Sequence, residues 1–286
     1  MPSTSVKMNY SSTFILDDCL NLKKEDIVSK HTSNIHTTTI AQEYLQLPDS
    51  QDSHKLCKSV DSILSTQECN AIIARAEEAG FKPALLNTGF GIEVYRPELR
   101  SSDRCIIDDI PFAEHMFERV REVLPETFEE RNIGWKICGL NERMRILRYE
   151  KGNSFPPHFD GCFRRNNGME QSFHTVMIYL NSGGEDGSFQ GGSTVFHSRT
   201  SNENFTDYVP RCGSMLVFDH ELLHEGALLE RGVKYAIRTD VMYTRQDLRE
   251  RIVSKTKILS ATLYSKITNL SQDGRELTSS KTIANP

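Results

Sequence analysis

The chain has no apolar run approaching the roughly 18 residues a membrane-spanning helix needs. It also lacks a basic start followed by an apolar block: Met1 to Asp18 is mixed and polar, so no secretory signal is expected. CxxC pairs are absent, and the seven cysteines (Cys19, Cys57, Cys69, Cys105, Cys138, Cys162 and Cys212) are odd in number. That argues against a disulfide framework or a cysteine zinc site, and for a reducing cytoplasmic or nuclear compartment. An excess of positive charge is missing too, since 34 Lys and Arg against 39 Asp and Glu give −5. Neither nucleic acid nor membrane is therefore expected as a partner. Triplets at Asn9, Asn204 and Asn269 match the glycosylation pattern but carry no weight without a signal peptide.

What is present suffices for one large domain or two small ones. Residues 1–55 are rich in Ser, Thr, Asn, Asp and Gln and read as a flexible arm, with one short docked segment around Ile40 to Leu47. His31 and His36 read as solvated tail histidines. Ser65-Thr66-Gln67-Glu68 is a capping box, and Cys69, Ile72, Ile73, Ala76 and Ala79 follow at helical spacing up to Gly80. Asp109 and Pro111 start a second helix with Phe112, Met116, Val120 and Val123 as its buried stripe. Gly89-Phe90-Gly91 reads as a loop.

From about residue 135 the texture changes to short strands, expected at 143–149, 155–159, 173–180, 193–197, 214–219 and 234–243. The fold class is thus mainly β with N-terminal α, a sandwich or barrel with helices on one sheet. The expected domain spans 56–245, with its β core at about 140–245. Residues 246–286 read as one short helix, through Asp247 and Arg249 to Arg251, and a frayed tail.

His158-Phe159-Asp160 can place an imidazole and a carboxylate on one side of a strand, with Phe159 turned away into packing. His224, after the apolar strand Met215 to Phe218, can bring a second imidazole. Two imidazoles and one carboxylate hold one face of a metal and leave open positions, which suits iron(II) oxygenase chemistry. A rival uses other residues. His220-Glu221-Leu222-Leu223-His224 is a literal HExxH, the pattern of a zinc hydrolase. That pattern requires a long helix, whereas Val217-Phe218 looks strand-like and Gly226 follows closely. A metal-binding barrel without catalysis is the third reading.

Together with Lys234, these motifs resemble the 2-oxoglutarate/iron(II)-dependent dioxygenases, in their prolyl 4-hydroxylase-like branch. The resemblance covers about residues 60–245. It rests on Arg148-Tyr149, Pro157-His158-Phe159-Asp160-Gly161, Thr175 with Tyr179-Leu180-Asn181, Gly191-Gly192-Ser193-Thr194-Val195-Phe196, His224-Glu225-Gly226 and Gly232-Val233-Lys234-Tyr235, in that order. It implies a double-stranded β-helix (jelly-roll or cupin-like) with supporting helices. It further implies a facial triad of His158, Asp160 and His224, and 2-oxoglutarate held by Lys234, Tyr179 and Tyr149 with Thr175 on the same strand face. Arg238 shares the face of Lys234 by period two and is the second candidate anchor. Iron(II), 2-oxoglutarate and O2 are the implied cofactors, with ascorbate as a further candidate. Asp160 favours hydroxylation, because related halogenases carry a small residue there.

The substrate is expected to be a peptide, prolyl among the choices, or a small molecule. Arg100, Arg104 and Arg145 are its candidate contacts. Arg143 is a further cavity candidate, and Phe163-Arg164-Arg165-Asn166-Asn167 reads as a mobile lid.

Overall fold

The computed structural model describes residues 15–20, 41–87, 93–165 and 168–247. Helix α1 (Thr66–Ala79) starts where the capping box requires. The Ser65 hydroxyl accepts the Glu68 N–H at 3.2 Å, and the Glu68 carboxylate accepts the Ser65 N–H at 2.8 Å. Two amides that a helix start leaves unpaired are thereby satisfied. Cys69, Ile72 and Ala76 form the buried stripe, and Gly80 ends the helix at φ 84°. The buried Glu68 also pairs with Arg119 at 2.7 Å, which ties α1 to α2 (Ile110–Val120). Helix α2 is capped by Asp109, which accepts from Phe112 N–H at 3.0 Å; Phe112, Met116 and Val120 are its buried face.

In the arm over 1–55 the docked segment expected around Ile40 to Leu47 is present as the strand Gln42–Tyr44, and docking at Leu16 and at Asp49 and Asp52 corrects the rest. Leu16 is fully buried, and the N–H groups of Leu16 and Asp17 donate to Asp109 Oδ2 at 2.7 and 3.2 Å. Farther on, β1 (Gln42–Tyr44) pairs with β2 (Cys57–Val60). Asp49 accepts from Ser198 and Arg199, and Asp52 pairs with Arg199 at 2.7 Å. These segments dock through single side chains and charged acceptors, which leave no hydrophobic period to read.

After β1 and β2, the main strands of the two large sheets are β3 (Asp103–Asp108), β4 (Arg143–Glu150), β5 (Phe155–His158), β6 (Glu170–Tyr179), β7 (Thr194–His197), β8 (Phe205–Tyr208), β9 (Met215–Asp219), β10 (His224–Gly226) and β11 (Leu229–Arg245). One sheet runs β1-β2-β9-β6-β11-β4-β3, and the other β5-β10-β7-β8. From β4 onward the chain passes repeatedly between the two sheets: β4, β6, β9 and β11 enter the first, and β5, β7, β8 and β10 the second. Antiparallel pairing prevails, as in β4 with β11 and β6 with β9. This is the double-stranded β-helix, mainly β behind N-terminal helices. All six expected strands are present. β8 and β10, at four and three residues, are not among the expected strands.

Tyr179, Phe196, Tyr208, Leu216, Phe218, Leu222 and Ala236 pack into one buried cluster, and Leu147, Tyr149, Phe189 and Leu229 into another. Each fully buried large apolar side chain stabilises the fold by roughly 1.5–3 kcal/mol. Helix α1 is fixed to the large sheet by Glu77, which meets Arg148 at 3.2 Å and the Tyr235 hydroxyl at 2.6 Å.

Among the described residues, Thr127–Lys136 belongs with residues 244–247 to a second unit. In it, Thr127–Glu130 pairs with the start of Ile133–Leu140 across Arg131 and Asn132, both at positive φ. The expected Gly89 loop lies outside the described residues, as does the C-terminal helix beyond Asp247.

Candidate metal centre

His158 is the last residue of β5 and His224 the first of β10, and the two are cross-strand partners. Such partners face the same side of a sheet, so both imidazoles enter one cavity. Asp160 stands two residues past the end of β5, its N–H donating to His220 O at 3.1 Å. The ligand atoms of His158, Asp160 and His224 lie within 4.8 Å of one another. Asp160 Oδ2 is 3.6 Å from His224 Nε2, and Oδ1 is 4.0 Å from His158 Nε2.

Backbone carbonyls fix which nitrogen carries the proton. His158 Nδ1 is 2.8 Å from Pro156 O, and His224 Nδ1 is 2.9 Å from Leu222 O. A carbonyl only accepts, so Nδ1–H donates and each Nε2 lone pair turns toward Asp160. Burial and the neighbouring His224 push His158 down to about 4, and burial lowers His224 as well. Both rings are therefore neutral ligands at neutral pH. Burial alone would raise Asp160, but Arg238 and the imidazoles hold it well below the usual carboxylate range. Two neutral imidazoles and one carboxylate on one side of an ion fit iron(II) with open positions opposite.

Expectations for Phe159 and Arg143 are corrected here, and the HExxH rival fails for the reason the sequence suggested. Phe159 is not packed inward: it is 51% exposed, under the Arg199 guanidinium at 5.7 Å, because β5 ends at His158 and strand alternation stops there. The HExxH match forms no helix. His220 sits in a turn, where its Nε2 lies 3.5 Å from Asp240, and His224 opens a strand, so the two histidines do not share a helical face. Arg143 does not line the cavity and forms a two-pronged pair with Asp108 at 2.8 Å. The foreseen lid is in part a hairpin: Arg164–Arg165 pairs with Glu170–Gln171, and Arg165 bonds Glu142. Asn166 and Asn167 lie outside the described residues.

The cavity holds about 520 Å³, and Tyr149, Thr194, Lys234 and Arg100 line it beside the triad. Lys234, 3% exposed, donates to Gly192 O and lies 5.4 and 5.5 Å over the rings of Tyr149 and Tyr179. Among the described residues no carboxylate pairs with it, and burial pulls its ammonium down to about 7. Arg238, by contrast, is held by two carboxylates, Asp160 at 3.1 Å and Asp240 at 3.2 Å. Thr175 points at the metal ligand and donates to Asp160 Oδ2 at 2.5 Å. The Tyr179 hydroxyl meets Thr194 Oγ1 at 2.7 Å. Arg104 also lines the cavity, and it donates to Leu85 O at 3.4 Å.

Residues 144–241 match the model of the 2OG-Fe(II) oxygenase superfamily. That stretch is similar to a 2OG-Fe(II) oxygenase domain. All three triad residues and Lys234 fall inside it. Among solved structures, a viral collagen prolyl hydroxylase from Paramecium bursaria Chlorella virus-1 is similar at 20% identity, covering 66% of this chain and 96% of its own, with a TM-score of 0.43. A Trichoplax adhaerens prolyl hydroxylase, in complex with a hypoxia inducible factor peptide fragment, gives 17%, 71% and 89%, and 0.49. A Pseudomonas putida prolyl-4-hydroxylase gives 17%, 69% and 96%, and 0.44. No curated protein sequence matches the chain.

Sequence reasoning did not assign Thr194 or Asp240 to the site. Thr194 sat inside the Gly-Gly-x-Thr motif, and Asp240 shared the period-two face of Lys234, so both carried a signal. The carbonyls of Pro156, Leu222 and Gly192 gave none, because every residue has one.

Proposed function

We propose that the oxygenase domain is an iron(II)- and 2-oxoglutarate-dependent hydroxylase acting on a C–H bond of a peptidyl or small-molecule substrate. When bound, the iron and cosubstrate supply oxidative decarboxylation: 2-oxoglutarate, O2 and R–H give succinate, CO2 and R–OH. The protein supplies ligand geometry and placement. His158, Asp160 and His224 hold the metal, with their carbonyl and Thr175 partners fixing each donor's orientation. Lys234 takes the distal carboxylate of 2-oxoglutarate, with Tyr149, Tyr179 and Thr194 around it. Arg100, Arg104 and Arg145 face the substrate. The seven free cysteines suit a reducing compartment.

One observation carries the reading: a buried lysine with no carboxylate partner among the described residues shares a cavity with a two-histidine, one-carboxylate cluster. An unpaired buried cation is costly, and a dianionic cosubstrate relieves that cost. The test is anaerobic addition of iron(II) and 2-oxoglutarate, with a weak visible charge-transfer band expected, then oxygen and a succinate assay. Absence of both band and succinate, with zinc bound tightly, would leave a hydrolase or a non-catalytic barrel.

A further inference from the structure

The oxygenase reading leaves the substrate unnamed, and the inference here rests on that reading. Arg145 and Arg238 stand directly opposite each other on β4 and β11. Like charges in that position repel. They share Asp240, which is 3.2 Å from Arg238 but 3.8 Å from Arg145. Arg238 is satisfied by Asp160 as well. Arg145 Nη1 is buried without a hydrogen-bond partner among the described residues.

Arg100 reaches the same cavity from the loop before β3. Its guanidinium lies 4.7 Å over the Phe155 ring, and that ring stacks on His158 at 3.6 Å. Arg100 therefore stands two stacked layers from a metal ligand. Its own polar partner is the Ser102 hydroxyl at 3.4 Å, and no carboxylate pairs with it among the described residues. Burial lowers the pKa of both Arg100 and Arg145, the latter to about 10. A guanidinium stays protonated in a protein, so both carry positive charge. Cosubstrate bound at Lys234 leaves Arg100 without a carboxylate among the described residues and Arg145 with only the long contact to the shared Asp240. A guanidinium so placed is suited to a two-pronged grip on a carboxylate.

We propose that the substrate is an anion whose carboxylate is received on the Arg100 and Arg145 side of the cavity. That chemistry has two sources: a free organic acid, or an Asp or Glu side chain within a peptide.

The experiment uses the full chain, held anaerobically with iron(II) and saturating 2-oxoglutarate. Substrate-site probes are titrated while the charge-transfer band is followed. Hexanoate against hexanamide tests the free acid, and N-acetyl-glutamate N-methylamide against its glutamine counterpart tests the side chain. In at least one pair the acid binds about tenfold or more tighter than the amide, as a charge-assisted bond requires. The preference disappears in Arg100→Gln and partly returns in Arg100→Lys, with thermal melts showing that both variants fold. Equal binding of acid and amide in both pairs, or binding of neither, overturns the proposal while a normal 2-oxoglutarate band leaves the oxygenase reading standing. Failure of the band itself sinks the oxygenase reading instead. A preference that survives Arg100→Gln and Arg145→Gln also overturns the assignment.

Discussion

Lys234 couples cosubstrate binding to a proton. Burial holds its ammonium at about 7, far below the ordinary 10.5. Above pH 7 the apo-protein gives up that proton, and a bound carboxylate restores it. Binding of 2-oxoglutarate should therefore take up close to one proton at pH 8–9. Its dissociation constant should rise by about tenfold per pH unit there. The same shift acts on stability with a definite sign. Between about 7 and 10.5 the unfolded chain holds a proton that the folded chain has lost, so apo stability rises with pH across that window. Below pH 7 the full penalty applies, at most about 5 kcal/mol at roughly 1.4 kcal/mol per unit, and water in the cavity reduces it. Lys234→Met keeps the volume and removes the charge. Its apo form should melt higher at pH 6.5, with a flatter pH dependence, and bind 2-oxoglutarate weakly. Calorimetry in two buffers of different protonation enthalpy counts the proton, and melts from pH 6.5 to 10 read the stability. Absence of uptake in the parent protein, or uptake that persists in Lys234→Met, refutes the reasoning. Loss of binding in Arg238→Met with full binding in Lys234→Met would move the anchor to Arg238.

Further outcomes follow from single contacts. His158→Ala should abolish succinate formation and lower iron affinity, read by chelator competition. Thr175→Val removes the bond to Asp160 and should weaken iron binding by about tenfold, the usual cost of losing a ligand's support; unchanged affinity would show that Asp160 needs no such support. Glu221→Gln should leave succinate formation unchanged, because that side chain is 68% exposed; a loss would revive the hydrolase pattern. Glu68→Ala removes a helix cap and strands Arg119, so stability should fall by about 2–4 kcal/mol in denaturant titration.

Elements with a period or a cap were legible in the sequence. Both helices begin at their capping residues, and the six expected strands showed as short runs between turn clusters. The triad was legible because an HxD tripeptide and a distant histidine are side-chain signals. Other features were not. Leu16 docks through two amides onto Asp109, and amides carry no sequence mark. Phe159 was misplaced because strand alternation was extended one residue past the end of β5. Arg143 and Arg145 share one strand face by period two, yet only Arg145 lines the cavity, because Asp108 on the neighbouring strand captures Arg143. That pairing depends on a register between β3 and β4 that neither strand reveals alone.

The ladder between β5 and β10 contains an irregularity: Phe155 stands opposite Gly226, while His158 stands opposite His224. Three steps along one strand thus match two along the other. In an even ladder Pro157 would face His224, and His158 would point to the opposite side. One surplus residue, at a proline pair unable to donate to the ladder, keeps the imidazole inside. Chain length between Phe155 and His158 is accordingly as much a determinant of metal binding as the identity of the ligands. Deleting Pro156 or Pro157 would leave every ligand present in the sequence and still dismantle the centre.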